Sequence, residues 1–72
     1  METFQIVPNP IEVKVSGRQV EVEGLGLHLL CSLEEDYPSW RIREAVKRLV
    51  NTGRLRLVPT HLEPVLKHPA CV

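Results

Sequence analysis

The stretch from Ile11 to Glu23, IEVKVSGRQVEVE, leaves little freedom in how it can fold. Ile11, Val13 and Val15 alternate with Glu12 and Lys14, and Val20 and Val22 alternate with Glu21 and Glu23. A repeat of two puts every apolar side chain on one face of a strand and every charge on the other. Gly17-Arg18 has the length of a two-residue hairpin turn, and glycine supplies the positive φ that such a turn needs. The turn fixes a register in which Val15 faces Val20, Val13 faces Val22 and Lys14 faces Glu21. Apolar pairs on one face and opposite charges on the other support one another, so pattern and pairing point to a single hairpin.

A second stretch, Ser39 to Val58, reads SWRIREAVKRLVNTGRLRLV. Ile42, Ala45, Val46, Leu49 and Val50 recur at helical spacing and predict an amphipathic helix. Ser39 stands where an N-cap would be, and Gly53 where a left-handed C-terminal cap would be. Leu55 and Leu57 then alternate with Arg54 and Arg56 as far as Pro59, which predicts a short strand over Arg54–Val58 with one arginine-bearing face. Upstream, Phe4 and Ile6 suggest a first strand over Thr3–Val7, closed by Pro8, Asn9 and Pro10. Leu25, Leu29, Leu30 and Leu33 have helical spacing and predict a first helix over about 25–35. Glu34, Glu35 and Asp36 oppose its dipole, and Tyr37-Pro38 ends it. Downstream, Thr60 and Glu63 suggest a capping box, with Pro64 in the first turn of a short third helix. Leu62, Val65 and Leu66 form its apolar patch, Pro69 ends it, and the tail Ala70-Cys71-Val72 frays.

The chain is thus expected to be one small α+β domain over 1–72: an N-terminal β-hairpin, a helix-turn-helix pair, a short strand and a short C-terminal helix. Its core would be Ile11, Val13, Val15, Val20, Val22, Leu25, Leu29, Leu30, Leu33, Ile42, Ala45, Val46, Leu49, Val50, Leu55 and Leu57. A chain of 72 residues buries only about 60% of its unfolded surface, so its stability margin is a few kcal/mol. No apolar run approaches a membrane span, and METFQIVPNP lacks the regions of a signal peptide, so the cytoplasm is the expected compartment. Cys31 and Cys71 make no disulfide framework.

Net charge is zero, which argues against generic polyanion binding, but the charges are segregated. Glu2, Glu12, Glu21, Glu23, Glu34, Glu35 and Asp36 precede Tyr37, against Lys14 and Arg18. From Arg41 to Arg56 lie Arg41, Arg43, Lys47, Arg48, Arg54 and Arg56, opposed by Glu44 alone. On a helical wheel Trp40, Arg43, Glu44, Lys47 and Asn51 project away from the apolar stripe, with Arg41 and Arg48 on one flank. A helix after a tight turn, followed by a basic strand, resembles the recognition helix and wing of winged helix-turn-helix domains. The resemblance covers about residues 25–58 and is one of element pattern. It implies DNA binding, with the second helix in the major groove and the wing along the phosphates. Three carboxylates in the turn and strands that precede the helices depart from that pattern. The plainer account is that these cations keep a helix face solvated, with Glu44 and Arg48 as an i,i+4 pair.

Trp40, the single tryptophan, either folds back over the edge of a small core or anchors a partner. His28-Leu29-Leu30-Cys31 and His68-Pro69-Ala70-Cys71 are two H-x-x-C pairs that could supply zinc ligands if His28 and Cys31 share a helix face. The plainer expectation is a core Cys31, surface histidines and no metal. No P-loop, G-x-G-x-x-G or nucleophile–base constellation is present, so no catalysis and no cofactor are expected. The segment IEVKVSGRQVEVEGLGLHLL also looks like the start of ubiquitin-like β-grasp proteins. Carriers of that group end in Gly-Gly, and this chain ends Ala70-Cys71-Val72, so the carrier function is not implied. The functional expectation is a non-catalytic binding module. DNA is the first partner considered, through Trp40, Arg41, Arg43, Lys47, Arg48, Arg54 and Arg56. The alternative is an adaptor or inhibitor that docks on a protein through Trp40, the acidic hairpin or the edge strand. That edge strand would also offer pairing to a second copy as a homodimer.

Overall fold

A computed structural model describes residues 2–8 and 10–67. Four strands precede two helices: β1 (Glu2–Ile6), β2 (Ile11–Ser16), β3 (Gln19–Gly24), β4 (Leu27–Ser32), α1 (Ser39–Asn51) and α2 (Val58–Lys67), with a 3-10 turn at Leu55–Leu57 before α2. The strands form one antiparallel sheet in the order β1-β2-β3-β4. This is a small α+β domain. The expected hairpin is present in the expected register, with Val15 opposite Val20, Val13 opposite Val22 and Lys14 opposite Glu21.

The largest difference from expectation is at residues 25–35, where a strand stands in place of a helix. Leu25 and Gly26 both have positive φ (51° and 77°), so the chain reverses in a two-residue turn and β4 pairs with β3. The period of β4 is two: Leu27, Leu29, Cys31 and Leu33 turn toward the helices, and His28, Leu30 and Ser32 turn to solvent. The helical reading counted Leu30 as core, but a strand sends it to the other face, where it is 67% exposed. Leu25 is exposed at the turn, and Leu29 is half-buried. The first helix of the expected helix-turn-helix pair is therefore absent.

The expected strand at Arg54–Val58 is absent too. Leu55, Val58, Leu62 and Leu66 are buried, a helical series that continues across Pro59. Leu57 consequently faces solvent rather than the core. Pro64 lies inside α2 rather than in its first turn, and it has no N–H to offer the Thr60 carbonyl. The capping box does not form: the Thr60 hydroxyl donates to the Leu57 carbonyl (3.1 Å), while Glu63 turns elsewhere. The expected helix end at Pro69 and the tail with His68 and Cys71 lie outside the described residues.

α1 holds its expected place, with caps that differ in detail. Ser39 is its first residue, and Pro38 is the cap; the Pro38 carbonyl accepts the N–H of Arg41 (3.0 Å) and Ile42 (3.2 Å). Gly53 ends the helix as expected, with φ 73°. Its N–H donates to the Val50 carbonyl (3.0 Å) and that of Arg54 to the Leu49 carbonyl (2.7 Å), the paired bonds of a Schellman ending. Both helices lie on one face of the sheet, α1 against β1 and α2, and α2 against β4. Between the layers sit Ile6, Ile11, Val13, Val20 and Val22 from the sheet and Ile42, Val46, Leu49, Val58, Leu62 and Leu66 from the helical half. Among the described residues no polar or charged side chain is buried, so the core is wholly apolar. Val50, expected in that core, is half-buried at its margin.

Candidate functional site: a trough between the helices

The helical stripe that buries Ile42, Ala45, Val46 and Leu49 leaves the opposite side of α1 in water. Where α1 and α2 meet, their seam opens into a groove of about 420 Å³. Its apolar parts are Trp40 and Ala45 from α1 and Val65 and Leu66 from α2. Its polar rim is Arg41, Glu44, Lys47, Arg48, Asn51 and Thr52. A shallower depression continues along the seam through Arg48, Thr52 and Val65, shared by both, to Arg54, His61 and Pro64. The whole forms a trough along α1, a helix ~20 Å long at 1.5 Å per residue. Four cationic side chains (Arg41, Lys47, Arg48 and Arg54) line it, against one carboxylate, Glu44.

Trp40 does not fold back over the core. It stands 65% exposed in the first turn of α1, at the mouth of the trough. Leu25 and Leu30 are comparably exposed, but Trp40 is the one that lines the groove, and tryptophan is enriched at binding hot spots. Arg41 beside it is committed to the fold. Its guanidinium donates to the Leu66 carbonyl at the end of α2, where the helix dipole favours a cation, and lies 5.3 Å from the centre of the Tyr37 ring.

The connection from β4 to α1 is fastened to α2. Both oxygens of the Glu63 carboxylate accept the Glu34 backbone N–H (2.8 and 3.2 Å), tying the β4–α1 connection to α2. Lys67 reaches the Glu34 carboxylate at 3.2 Å. That contact, as a hydrogen bond first and a charge pair second, holds the Lys67 ammonium's pKa above its ordinary value. Tyr37 is shifted upward too, by partial burial and by the Glu35 and Glu63 charges. Cys31, on the inner face of β4, is pushed up by burial and by Glu63, which makes it a poor nucleophile.

Of the residues singled out from the sequence, Trp40, Arg41, Lys47, Arg48 and Arg54 come together along the trough. Arg43 is exposed on α1, and Arg56 is exposed on the 3-10 turn rather than on a wing strand. Lys14 pairs with Glu12 and Lys67 with Glu34, and among the described residues no ion pair involves Arg43, Lys47, Arg54 or Arg56. His28 and Cys31 lie on opposite faces of β4, so the first H-x-x-C pair cannot close on one ion. The far wall of the trough, Val65 and Leu66, was visible in the sequence only as a patch on a short helix; nothing there indicated that α1 would lie beside it. Among the described residues no helix is long and apolar enough to cross a membrane. No protein-family model, curated protein or solved structure matches this chain.

Proposed function

We propose that this chain is a non-catalytic interaction module whose trough takes an acidic segment of a partner protein, anchored by an apolar side chain. The observation that carries this reading is Trp40, 65% exposed at the mouth of a groove with an apolar floor and a cationic rim. An apolar floor between two helices rewards a hydrophobic anchor, and the rim charges favour an anchor flanked by carboxylates. A phosphate backbone would satisfy the rim but leave Trp40 and Val65 uncovered. An acidic peptide with an apolar anchor therefore fits the trough better than the duplex DNA expected from the sequence. The module acts in the cytoplasm, where free cysteines are the rule.

Selection of a random displayed-peptide library on the immobilised full chain tests the reading. Enriched peptides are expected to combine Asp or Glu with Leu, Phe or Trp and to shift the emission of Trp40, the chain's single tryptophan. Both Trp40 and Lys47 are exposed, so Trp40→Ala and Lys47→Glu should fold normally and bind these peptides at least tenfold more weakly. Failure to enrich such peptides, or equal binding by Trp40→Ala, overturns the proposal. Nucleic acid replaces it if duplexes bind with a steep salt dependence that Arg43→Glu and Arg56→Glu abolish and Trp40→Ala leaves intact.

A further inference from the structure

The solvent face of the sheet, on the side away from the helices, carries a second cluster that the trough does not use. Glu21 and Glu23 sit two residues apart on β3 and so share that face, and His28 stands directly across from Glu23 on β4. One donor atom from each of the three, two carboxylate oxygens and one imidazole nitrogen, lies within 4.8 Å of the others. His28 Nε2 already meets the Glu21 carboxylate. Donors placed around one ion at about 2.0–2.2 Å lie within about 4.4 Å of one another, close to the spacing already present here. A separate observation comes from the neighbouring strand pair. Glu12 on β2 is directly opposite Glu23, a like-charge pair that destabilises a sheet. Lys14 sits 3.6 Å from Glu12, while no ion pair reaches Glu23 among the described residues.

We infer that Glu21, Glu23 and His28 form a surface site for a divalent transition-metal ion of the zinc type. Imidazole with carboxylate suits zinc, cobalt or nickel better than magnesium or calcium, which take all-oxygen sets, or copper(I), which takes sulfur. Three protein ligands leave coordination positions open to water on this exposed face. The ion neutralises Glu23 and relieves its repulsion with Glu12. This site stands independently of the trough, so either can fail without the other.

Calorimetric titration of the metal-free full chain with zinc chloride, in a non-chelating buffer, tests the inference. One saturable equivalent is expected. Glu23→Gln and His28→Ala, both at exposed positions, should each weaken it at least tenfold, with unchanged circular dichroism. A His68→Ala, Cys71→Ser double variant should bind within twofold of the unmodified chain, and addition of zinc should shift the His28 ring resonances before those of His61. The inference is overturned by absence of saturable binding up to millimolar zinc. It is equally overturned by binding that survives His28→Ala and disappears in the double variant.

Discussion

Two residues at the end of the hairpin show how narrowly single positions are specified. Gly24 has φ +152°, and a Cβ there would stand 2.5 Å from the Pro10 carbonyl oxygen and 2.9 Å from the Ile11 Cα. Both obstacles are backbone, so no side-chain rotation relieves the clash. Gly24→Ala should cost about 2–4 kcal/mol, a large part of the stability of so small a domain, seen as a lower urea midpoint at unchanged slope. Its neighbour Leu25 is the reverse case. It is a non-glycine residue at φ 51°, in a turn that normally takes asparagine or aspartate, and it is 59% exposed. Leu25→Asn removes strain without removing packing and should raise stability by about 0.5–1 kcal/mol in the same measurement. Gly24-Leu25-Gly26 is recognisable as a turn, but leucine in a left-handed position hides that the turn belongs to a hairpin.

At the scale of elements, the hairpin β2–β3 and helix α1 were legible because each has one period and a matching boundary residue. β4 was not, since Leu25, Leu29, Leu30 and Leu33 fit a helix as well as Leu27, Leu29, Cys31 and Leu33 fit a strand. Pairing to β3 decided between them, and pairing is not a local property. The same holds for Leu55 and Leu57, whose alternation is too short to outweigh the longer series Leu55, Val58, Leu62 and Leu66. The candidate site follows this division. Its α1 residues were readable, and its α2 wall, which depends on how two helices pack, was not. The Glu63 carboxylate on the Glu34 N–H fastens the β4–α1 connection to α2, beside the Arg41 guanidinium on the Leu66 carbonyl, which joins the two helices directly. Glu63→Ala should lower stability by about 1 kcal/mol, the usual value of one hydrogen bond at a partly solvated site. Lys67→Ala, which removes an exposed ion pair with Glu34, should lower it by less than Glu63→Ala does. Thermal melts of the two variants side by side give the order, and the reverse order would mean that Lys67 rather than Glu63 fastens the connection.

Over the whole molecule, a net charge of zero conceals two unlike sides. Glu12, Glu21 and Glu23 lie on the open face of the sheet with Lys14 and His28, while Arg43, Lys47, Arg54 and Arg56 lie on the helical side. Between these sides no charged side chain among the described residues is buried, so stability near neutral pH does not depend on a buried ion pair there. The alkaline range is different. Cys31, Tyr37 and Lys67 have ordinary pKa values of 9.0, 10.0 and 10.5, and all three are raised in the folded chain. For Cys31 and Tyr37 burial is the largest cause, whereas for Lys67 it is the hydrogen bond to Glu34. In each case the folded chain keeps its proton to a higher pH than the unfolded chain does. Above about pH 9 the unfolded state therefore binds fewer protons, and the free energy of unfolding falls as pH rises. Stability should be level between pH 7 and 8.5 and then decline, first through Cys31 and next through Tyr37 and Lys67. Urea midpoints measured from pH 7 to 11 check this, and Cys31→Val should delay the onset by removing the group that titrates first. In a Cys71→Ser background the Cys31 thiol should stay slow toward disulfide reagents throughout the level region and react only as the domain opens. A midpoint that rises between pH 9 and 11 would mean that these three groups hold their protons less tightly in the folded chain than in the unfolded one.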